Sequence, residues 1–201
     1  MSKVIDYFFA VASPFAYLGH DRFTAIAVRH GAQVNVKPID LGKVFAVSGG
    51  LPLKQRSPQR QAYRLRELSR WSAFLDKPLN PQPRYFPVAG DFASKATIAV
   101  SQQGSEPALR LAGALMRAVW VEERNIADPG TIADIAREQG LDGAAVTTRA
   151  ESDEVSARYH QLTSEAIDRQ VFGAPTFIYR DELFWGQDRL EFLDRALAAP
   201  A

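Results

Sequence analysis

The sequence contains no cysteine among its 201 residues. This absence excludes disulfide bonds, thiolate metal sites, a cysteine nucleophile and any dithiol chemistry carried by the protein itself. A dithiol oxidoreductase is therefore excluded by composition alone. If the protein performs thiol chemistry, the thiol must come from a separate molecule.

The sequence also lacks an excess of charge of either sign, because 24 Lys and Arg residues stand against 23 Asp and Glu residues. The net charge of +1 provides no overall field that would hold a polyanion. We therefore do not expect nucleic acid as a partner.

Long hydrophobic runs are missing as well. The apolar stretch 7–12 spans only six residues, and the stretch 108–121 is interrupted by Arg110 and Arg117. Neither stretch has the length and the flanks of a signal peptide or of a membrane span. The sequence therefore predicts no membrane association and a cytoplasmic location.

Motifs of metal and hydrolase chemistry are absent. The three histidines, His20, His30 and His160, do not have the spacing of metal ligands. The short motifs of zinc peptidases, serine hydrolases and phosphate-binding loops do not occur either. We therefore predict no metal site.

The overall composition is typical of a soluble globular protein, with 46% hydrophobic and 23% charged residues. Residues 4–9 are rich in β-branched and aromatic side chains, which favours a buried strand. Ser13 and Pro14 have the residue types of a helix N-cap and first helical position, and the predicted helix runs to His30. A second strand is predicted at 34–39. Together these elements predict a βαβ unit with parallel strands.

Residues 51–170 show helical periodicity and no convincing strand. The pattern predicts helices at about 57–75, 91–103, 107–124, 128–139 and 152–170. The first two are separated by four prolines in ten residues, Pro78, Pro81, Pro83 and Pro87. Prolines prevent regular structure, so we expect a stiff loop there that can form the wall of a pocket.

Strand patterns return at 175–179 and 183–185, which predicts a β-hairpin, and an amphipathic helix is predicted at 188–197. The order βαβ, helices, ββα predicts an α/β protein with a thioredoxin-like fold and an all-helical insertion. We assign residues 1–50 and 171–201 to the thioredoxin-like domain and residues 51–170 to the inserted helical domain.

Two local features are compatible with a binding site. Ser13 lies where a strand passes into a helix, so its hydroxyl and the free N–H groups of the first turn can meet an anion. A plain helix cap is the alternative. A cis peptide bond before Pro175 would turn the neighbouring backbone groups toward an extended, peptide-like ligand. A trans proline that begins an edge strand is the alternative there.

Six short segments carry a resemblance to a known family. They are DYF at 6–8, SPFAYL at 13–18, IDLG at 39–42, RW at 70–71, VFGAPTF at 171–177 and FWGQDRL at 184–190. Their order and spacing resemble the 2-hydroxychromene-2-carboxylate isomerase family, whose relatives are the kappa-class glutathione transferases. The resemblance implies a thioredoxin-like domain with a helical insertion, a cis proline at Pro175, glutathione as cofactor and a homodimer.

The same resemblance implies roles for single residues. It places Ser13 against the sulfur of glutathione and pairs the Ala174 backbone, beside Pro175, with the cysteinyl part. It assigns the γ-glutamyl end to Trp185, Gly186, Gln187 and Asp188. No histidine base for Ser13 is evident in the sequence, so we interpret Ser13 as a hydrogen-bond donor to a thiolate rather than as a nucleophile.

The chain departs from the family pattern on the substrate side. Ala10 stands where an acidic residue is frequent, and an asparagine that often follows the Phe86-Pro87 pair is missing. The region around Lys54 also diverges. These departures concern the aromatic substrate more than the cofactor.

A basic stripe lies between residues 54 and 70, where six cations face only Glu67: Lys54, Arg56, Arg60, Arg64, Arg66 and Arg70. The stripe is either a solvated helix face or dimer contact, or an attraction for an anionic substrate. In the second interpretation, the substrate carboxylate is contacted by Lys43, Lys54, Arg84 and Tyr85.

The resemblance implies a glutathione-dependent isomerase. Its reaction would interconvert 2-hydroxychromene-2-carboxylate, or a similar aromatic-derived carboxylate, and trans-o-hydroxybenzylidenepyruvate by addition and elimination of a thiolate. A kappa-like glutathione transferase that conjugates electrophiles is one alternative. A thioredoxin-fold binding module without catalytic activity is another.

Overall fold

The structure is a computed structural model that describes residues 2–200. The strands in this range are β1 (Val4–Phe9), β2 (Gln33–Pro38), β3 (Thr176–Tyr179) and β4 (Glu182–Trp185). The α-helices are α1 (Pro14–Arg29), α2 (Leu41–Ser48), α3 (Pro58–Phe74), α4 (Asp91–Ser101), α5 (Ser105–Trp120), α6 (Pro129–Glu138), α7 (Gly143–Ala150), α8 (Asp153–Asp168) and α9 (Leu190–Ala198). Short 3-10 helices lie at Leu53–Gln55 and Gln187–Arg189.

The four strands form one sheet in the order β2-β1-β3-β4. β1 and β2 are parallel and joined by α1, whereas β3 pairs antiparallel with both β1 and β4. Helices α2 to α8 lie between β2 and β3 in the chain, and α9 follows β4. This arrangement confirms the predicted thioredoxin-like α/β fold with a helical insertion. The domain bounds, 1–50 with 171–201 and 51–170, stay a prediction.

β1 is a central strand because its side chains, apart from Asp6, are apolar on both faces. Ile5, Tyr7 and Phe9 are fully buried in one apolar cluster, where the Tyr7 and Phe177 rings stack with centroids 5.1 Å apart. Phe8 points the other way and is fully buried in a second cluster. The predicted buried strand is confirmed.

Two helices in the structure have no counterpart in the sequence pattern. α2 begins after Asp40, whose carboxylate accepts a hydrogen bond from the Lys43 amide at 3.2 Å, and Val44 is its one buried side chain. α7 begins after Asp142, which caps the Ala145 amide at 3.0 Å. Each helix has eight residues, so apolar periodicity does not stand out over such a length.

The proline-rich segment between α3 and α4 is irregular, as predicted. It is tied to its surroundings by two backbone groups. The Tyr17 hydroxyl donates to the Pro78 carbonyl at 2.8 Å, and the Asn80 amide donates to the Trp120 carbonyl at 2.7 Å. The predicted helix 107–124 is wrong at both ends, because α5 spans Ser105–Trp120 and the chain then turns with a φ of 53° at Glu123.

No helix in the described part of the chain is long and apolar enough to cross a membrane. Among residues 2–200, no group of His, Cys, Asp or Glu side chains is arranged to hold a metal ion.

An ion-pair network joins the first strand to the end of α8. The Asp6 carboxylate accepts from Lys37 Nζ at 2.7 Å, from Asn35 Nδ2 at 2.8 Å and from Arg169 Nη1 at 2.9 Å, and Lys37 also contacts Glu165 at 2.5 Å. Burial raises the pKa of the Asp6 carboxyl, but the donors of Lys37, Asn35 and Arg169 outweigh burial and bring the pKa below its usual value. Arg169 thereby anchors the chain just before residues 171–174.

We expect Asp6→Asn to weaken the pH dependence of stability in acid. Because the folded-state pKa of Asp6 lies below the unfolded value of ~3.9, its stabilisation is present above that value and is lost as the pH falls through the folded pKa. The free energy of unfolding, measured by urea denaturation from about pH 2 to about pH 6, should therefore fall less steeply toward acid in Asp6→Asn than in the unsubstituted protein.

Asp181→Asn is the matched control, because Asp181 pairs with the same Arg169 but its side chain is 97% exposed. A solvated pair contributes little, so this variant should follow the acid profile of the unsubstituted protein. If the profiles of Asp6→Asn and Asp181→Asn coincide, the role given to Asp6 is wrong.

Candidate functional site

A cavity of about 650 Å³ opens where the chain leaves β1 and β2. Its walls come from the segments that follow these two strands, from α3, from the loop before α4 and from the segment before β3. Tyr159 of α8 and Trp185 of β4 also line it. The sheet half and the helices between β2 and β3 therefore share one cavity, which has the size of a site for a small organic ligand.

Ser13 lies at this cavity as the N-cap of α1. Its Oγ accepts a hydrogen bond from the Ala16 amide at 3.2 Å, Pro14 occupies the first helical position, and only 8% of the residue is exposed. The hydroxyl proton has no acceptor among residues 2–200, so Ser13 can cap the helix and donate into the cavity at once. The positive end of the α1 dipole adds to this preference for an anion.

The segment before β3 presents a free backbone edge. The Ala174–Pro175 peptide bond is cis, which confirms the prediction for this bond. The Thr176 hydroxyl donates to the Gly173 carbonyl at 2.8 Å, and the Gly186 amide donates to the Pro175 carbonyl at 2.9 Å. Within the described residues, the Ala174 amide and carbonyl have no hydrogen-bond partner. Ala174 lines the cavity and can therefore pair with an extended ligand.

The indole of Trp185 forms part of the rim, with half of the residue exposed. It packs edge to face against Phe172, with ring centroids 4.8 Å apart. A Cβ at Gly173 would lie 2.3 Å from the Trp185 Nε1 atom, so only a glycine lets the indole lie against the backbone here.

The four other residues assigned to the cofactor are not part of the cavity wall. Pro175 and Gly186 are joined by the hydrogen bond described above. Gln187 is 2% exposed and its Oε1 accepts from Arg22 Nη1 at 3.0 Å, so it ties the turn before α9 to α1. The Asp188 carboxylate pairs with its neighbour Arg189 at 2.8 Å and is 39% exposed.

The predicted substrate contacts Lys43, Lys54, Arg84 and Tyr85 do not line the cavity either. Lys43 Nζ lies 3.4 Å from His160 Nδ1, Lys54 is exposed, and the Arg84 guanidinium lies over the Tyr85 ring at 5.3 Å. The sequence identified a surplus of positive charge but not the side chains that face inward.

The cations that do line the cavity are Arg56, Arg60 and Arg64, here called the arginine wall. The Arg64 guanidinium lies over the rings of Phe86 and Trp120, at 5.2 and 5.8 Å from their centroids. Burial and the charge of Arg56 lower the pKa of Arg64 to about 10. Burial and the charge of Arg60 also lower the pKa of Arg56.

The feature of the sequence that indicates the arginine wall is the four-residue spacing of its arginines. Arg60 and Arg64 precede Leu68 at helical intervals, and Leu68 is the one buried residue of that helix. Because Leu68 is buried, this spacing indicates that Arg60 and Arg64 lie on the same, inward face of α3.

Sequence reasoning also missed a polar pair in the cavity wall. The Tyr159 hydroxyl donates to Asp91 Oδ1 at 3.1 Å, although the two residues are 68 positions apart in the chain. Burial and the nearby Asp91 charge raise the pKa of the Tyr159 hydroxyl above its usual value, so it stays protonated. No local sequence motif predicts such a pair, because it forms only when α8 packs on α4.

We expect Gly173→Ala to displace the indole of Trp185. The added Cβ has no room beside Nε1, so the free energy of unfolding should fall by about 1–3 kcal/mol and the tryptophan emission spectrum should change. The measurements are urea unfolding and steady-state fluorescence. In a Trp185→Phe background, the spectral effect of Gly173→Ala should disappear.

Gly90→Ala is the comparison variant from the same cavity wall, because its added Cβ would make only an ordinary contact, 3.7 Å from Ala12 Cβ. Its emission spectrum should match that of the unsubstituted protein. An unchanged spectrum in Gly173→Ala would show that Trp185 does not depend on this glycine.

Residues 4–198 match the family of DSBA-like thioredoxin domains. The 2-hydroxychromene-2-carboxylate isomerases of Sphingobium xenophagum and Pseudomonas putida are 28% and 30% identical to this chain over 198 and 196 residues. These alignments cover 98% and 96% of this chain and 99% and 94% of the two enzymes. Glutathione S-transferase kappa 1 of Rattus norvegicus is 22% identical, over 95% of this chain and 89% of that protein.

Solved structures of related fold include one from the same group of isomerases. The solved structure of a 2-hydroxychromene-2-carboxylate isomerase superposes with a TM-score of 0.81 at 28% identity, covering 97% of this chain and 94% of that one. The cytosolic disulfide reductase DsbM of Pseudomonas aeruginosa has a TM-score of 0.67 at 15% identity over 97% of this chain and 98% of its own, which shows a shared fold alone.

Proposed function

Because the chain belongs to the family of DSBA-like thioredoxin domains, and within it to the family of 2-hydroxychromene-2-carboxylate isomerases, we propose that it is a glutathione-dependent isomerase. One observation carries the proposal: Ser13 and the free backbone edge of Ala174 line the same cavity in a chain without cysteine. A thiol site of this kind needs an external thiol.

The residues present fit glutathione. The unpaired amide and carbonyl of Ala174 offer one donor and one acceptor to the backbone of a small peptide, in the manner of an added strand. Ser13 and the first turn of α1 offer donors to a negatively charged sulfur. Trp185 covers the neighbouring rim with an apolar surface.

The proposal assigns the γ-glutamyl end to the turn that follows Trp185. Gly186 has a φ of 105°, which a side chain would strain, and Gln187 holds this turn against α1. The Asp188 carboxylate is partly exposed beside Arg189 and is available to an ammonium group.

When bound, glutathione would supply a thiolate that adds to the substrate and is expelled again unchanged. The chain's own residues prepare the site for that chemistry. The Ser13 hydroxyl donates to the sulfur and, with the positive end of α1, holds the thiol in its reactive form. The Tyr159 hydroxyl keeps its proton, donates a hydrogen bond to Asp91, and so adds a fixed polar group to another wall of the cavity.

We assign an aromatic-derived carboxylate to the rest of the cavity: either 2-hydroxychromene-2-carboxylate, which is interconverted with trans-o-hydroxybenzylidenepyruvate, or a similar aromatic-derived carboxylate that undergoes the same reaction. Phe45 and Phe86 provide apolar surface, and the arginine wall provides the partner of a carboxylate. A homodimer is part of the proposal, and the apolar side chains of Tyr63 and Phe74, exposed on α3, support it.

We expect Ser13→Ala to slow turnover at neutral pH while leaving glutathione affinity nearly intact, because the backbone and γ-glutamyl contacts remain. A free thiol has a pKa of ~8.5, and one charge-assisted hydrogen bond of roughly 1.5–3 kcal/mol corresponds to about one to two pKa units. The thiol pKa of the complex should therefore rise by that amount. The measurement is ultraviolet thiolate absorbance against pH, together with the isomerase rate.

Ser152→Ala is the matched control, since Ser152 caps α8 by accepting from the Val155 amide at 3.3 Å and does not line the cavity. Both variants lose one helix cap, at a cost of about 1 kcal/mol in stability. Only Ser13→Ala should shift the thiol titration. If neither the titration nor the rate changes in Ser13→Ala, Ser13 is a helix cap and the proposed mechanism is wrong.

The glutathione balance separates the isomerase from the kappa-like transferase, which would use the same thiol site. We expect glutathione to be unchanged after many turnovers of substrate, measured by quantifying free thiol and any thioether product. Stoichiometric loss of glutathione would favour the transferase. If millimolar glutathione does not bind and an extended peptide does, a binding module without catalytic activity is favoured.

A further inference from the structure

The arginine wall carries three positive charges that meet no carboxylate of the protein. Within the described residues, Arg56, Arg60 and Arg64 form no ion pair. All three line the same cavity; the charge of Arg60 acts on Arg56, and the charge of Arg56 acts on Arg64.

The carboxylates near the wall are engaged elsewhere. Asp40 lines the cavity but caps the amide of Lys43 at the start of α2. Asp91 accepts the hydroxyl of Tyr159. Glu67, the one acidic residue of the basic stripe, pairs with Arg70 at 2.6 Å.

Two of the three guanidinium groups are held in position. Arg64 lies over two aromatic rings, as described above. Arg56 Nε donates to the Leu51 carbonyl at 2.8 Å, and its guanidinium lies over the Phe45 ring at 5.8 Å. Such contacts fix orientation and leave the remaining N–H groups free for a carboxylate. Arg60 is exposed, so the wall reaches from the interior to the cavity mouth.

The number of arginines in the wall bears on how many acidic groups its ligand carries. A carboxylate commonly takes both donors of one guanidinium fork, so a substrate with one carboxylate satisfies one arginine of this wall. Clustered like charges that are partly removed from water favour a ligand that neutralises more than one of them.

We propose that the arginine wall binds a substrate that carries two acidic groups on an aromatic framework, rather than a single carboxylate. This inference rests on the proposed function for the reaction, but the binding itself does not require glutathione. The substrate is then an aromatic-derived dianion whose second acidic group selects it over the monocarboxylate.

The test uses benzoate and isophthalate, which carry one and two carboxylates on the same ring, titrated into the protein by calorimetry without glutathione. Isophthalate should bind about tenfold more tightly than benzoate, because it engages a second arginine. Arg60→Gln and Arg64→Gln should each reduce this preference to less than about twofold. Arg60 is exposed, so Arg60→Gln is expected to fold even if Arg64→Gln does not.

Arg66→Gln is the matched control, because Arg66 is an exposed arginine of α3 that does not line the cavity. It should keep the full preference for isophthalate. Equal binding of the two probes by the unsubstituted protein would overturn the proposal. The same result follows if Arg60→Gln and Arg66→Gln reduce the preference equally, since the effect would then come from net charge.

The glycyl carboxylate of glutathione is another possible occupant of the wall, and a glutathione titration separates the two sources. We expect Arg60→Gln to change glutathione affinity less than about twofold. A large loss of glutathione affinity with an unchanged isophthalate preference would assign the wall to the cofactor and overturn the proposal. If glutathione fails to bind while the isophthalate preference depends on Arg60, the proposed isomerase is wrong and the dianion site stands.

Discussion

The burial of β1 on both faces is the constraint on which the site depends. Tyr7 and Phe9 pack in one apolar cluster and Phe8 in the other, so a slip of the strand by one residue would exchange the two faces. The end of β1 is therefore fixed, and Ser13 follows four residues later at the start of α1. The same strand pairs with β3, and the Ala174 edge that precedes β3 lines the same cavity.

The structural role of Ser13 and its proposed chemical role use different atoms of one hydroxyl. Its oxygen accepts the Ala16 amide, which stabilises the first turn of α1, while its proton is free to be donated. The plain helix cap and the thiolate donor are therefore compatible. The proposed thiol site is therefore consistent with a thioredoxin-like chain without cysteine, because the helix N-terminus and the edge before the cis proline do not depend on a cysteine side chain.

The elements of the sheet half could be predicted because each has a strong local signal. The buried strand at Val4–Phe9, the Ser13-Pro14 helix start and the hairpin of β3 and β4 follow from residue type and turn chemistry. α2 and α7 escaped prediction, since eight residues with few buried positions leave little periodicity. Their caps, Asp40 and Asp142, were the available signal.

The substrate side of the cavity was harder to predict, because the basic stripe of residues 54–70 does not indicate which of its side chains face inward. α3 buries Leu68 alone, so its orientation is set by contacts that the sequence does not display. That orientation turns Arg60 and Arg64 to the cavity and leaves Arg66 on the outside. The pair of Tyr159 and Asp91 depends in the same way on how two distant helices pack.

The cavity draws its walls from separate stretches of the chain, and this division has a consequence for divergence. Ser13, Ala174 and Trp185 come from the sheet half, whereas the arginine wall and Tyr159 come from the helices and connections between β2 and β3. Substitutions in the second group can change which ligand the cavity accepts without disturbing the strands that carry the first. Related proteins of this architecture can therefore diverge in ligand specificity through substitutions in the continuous stretch between β2 and β3, while the two flanking segments that carry the proposed thiol site are retained.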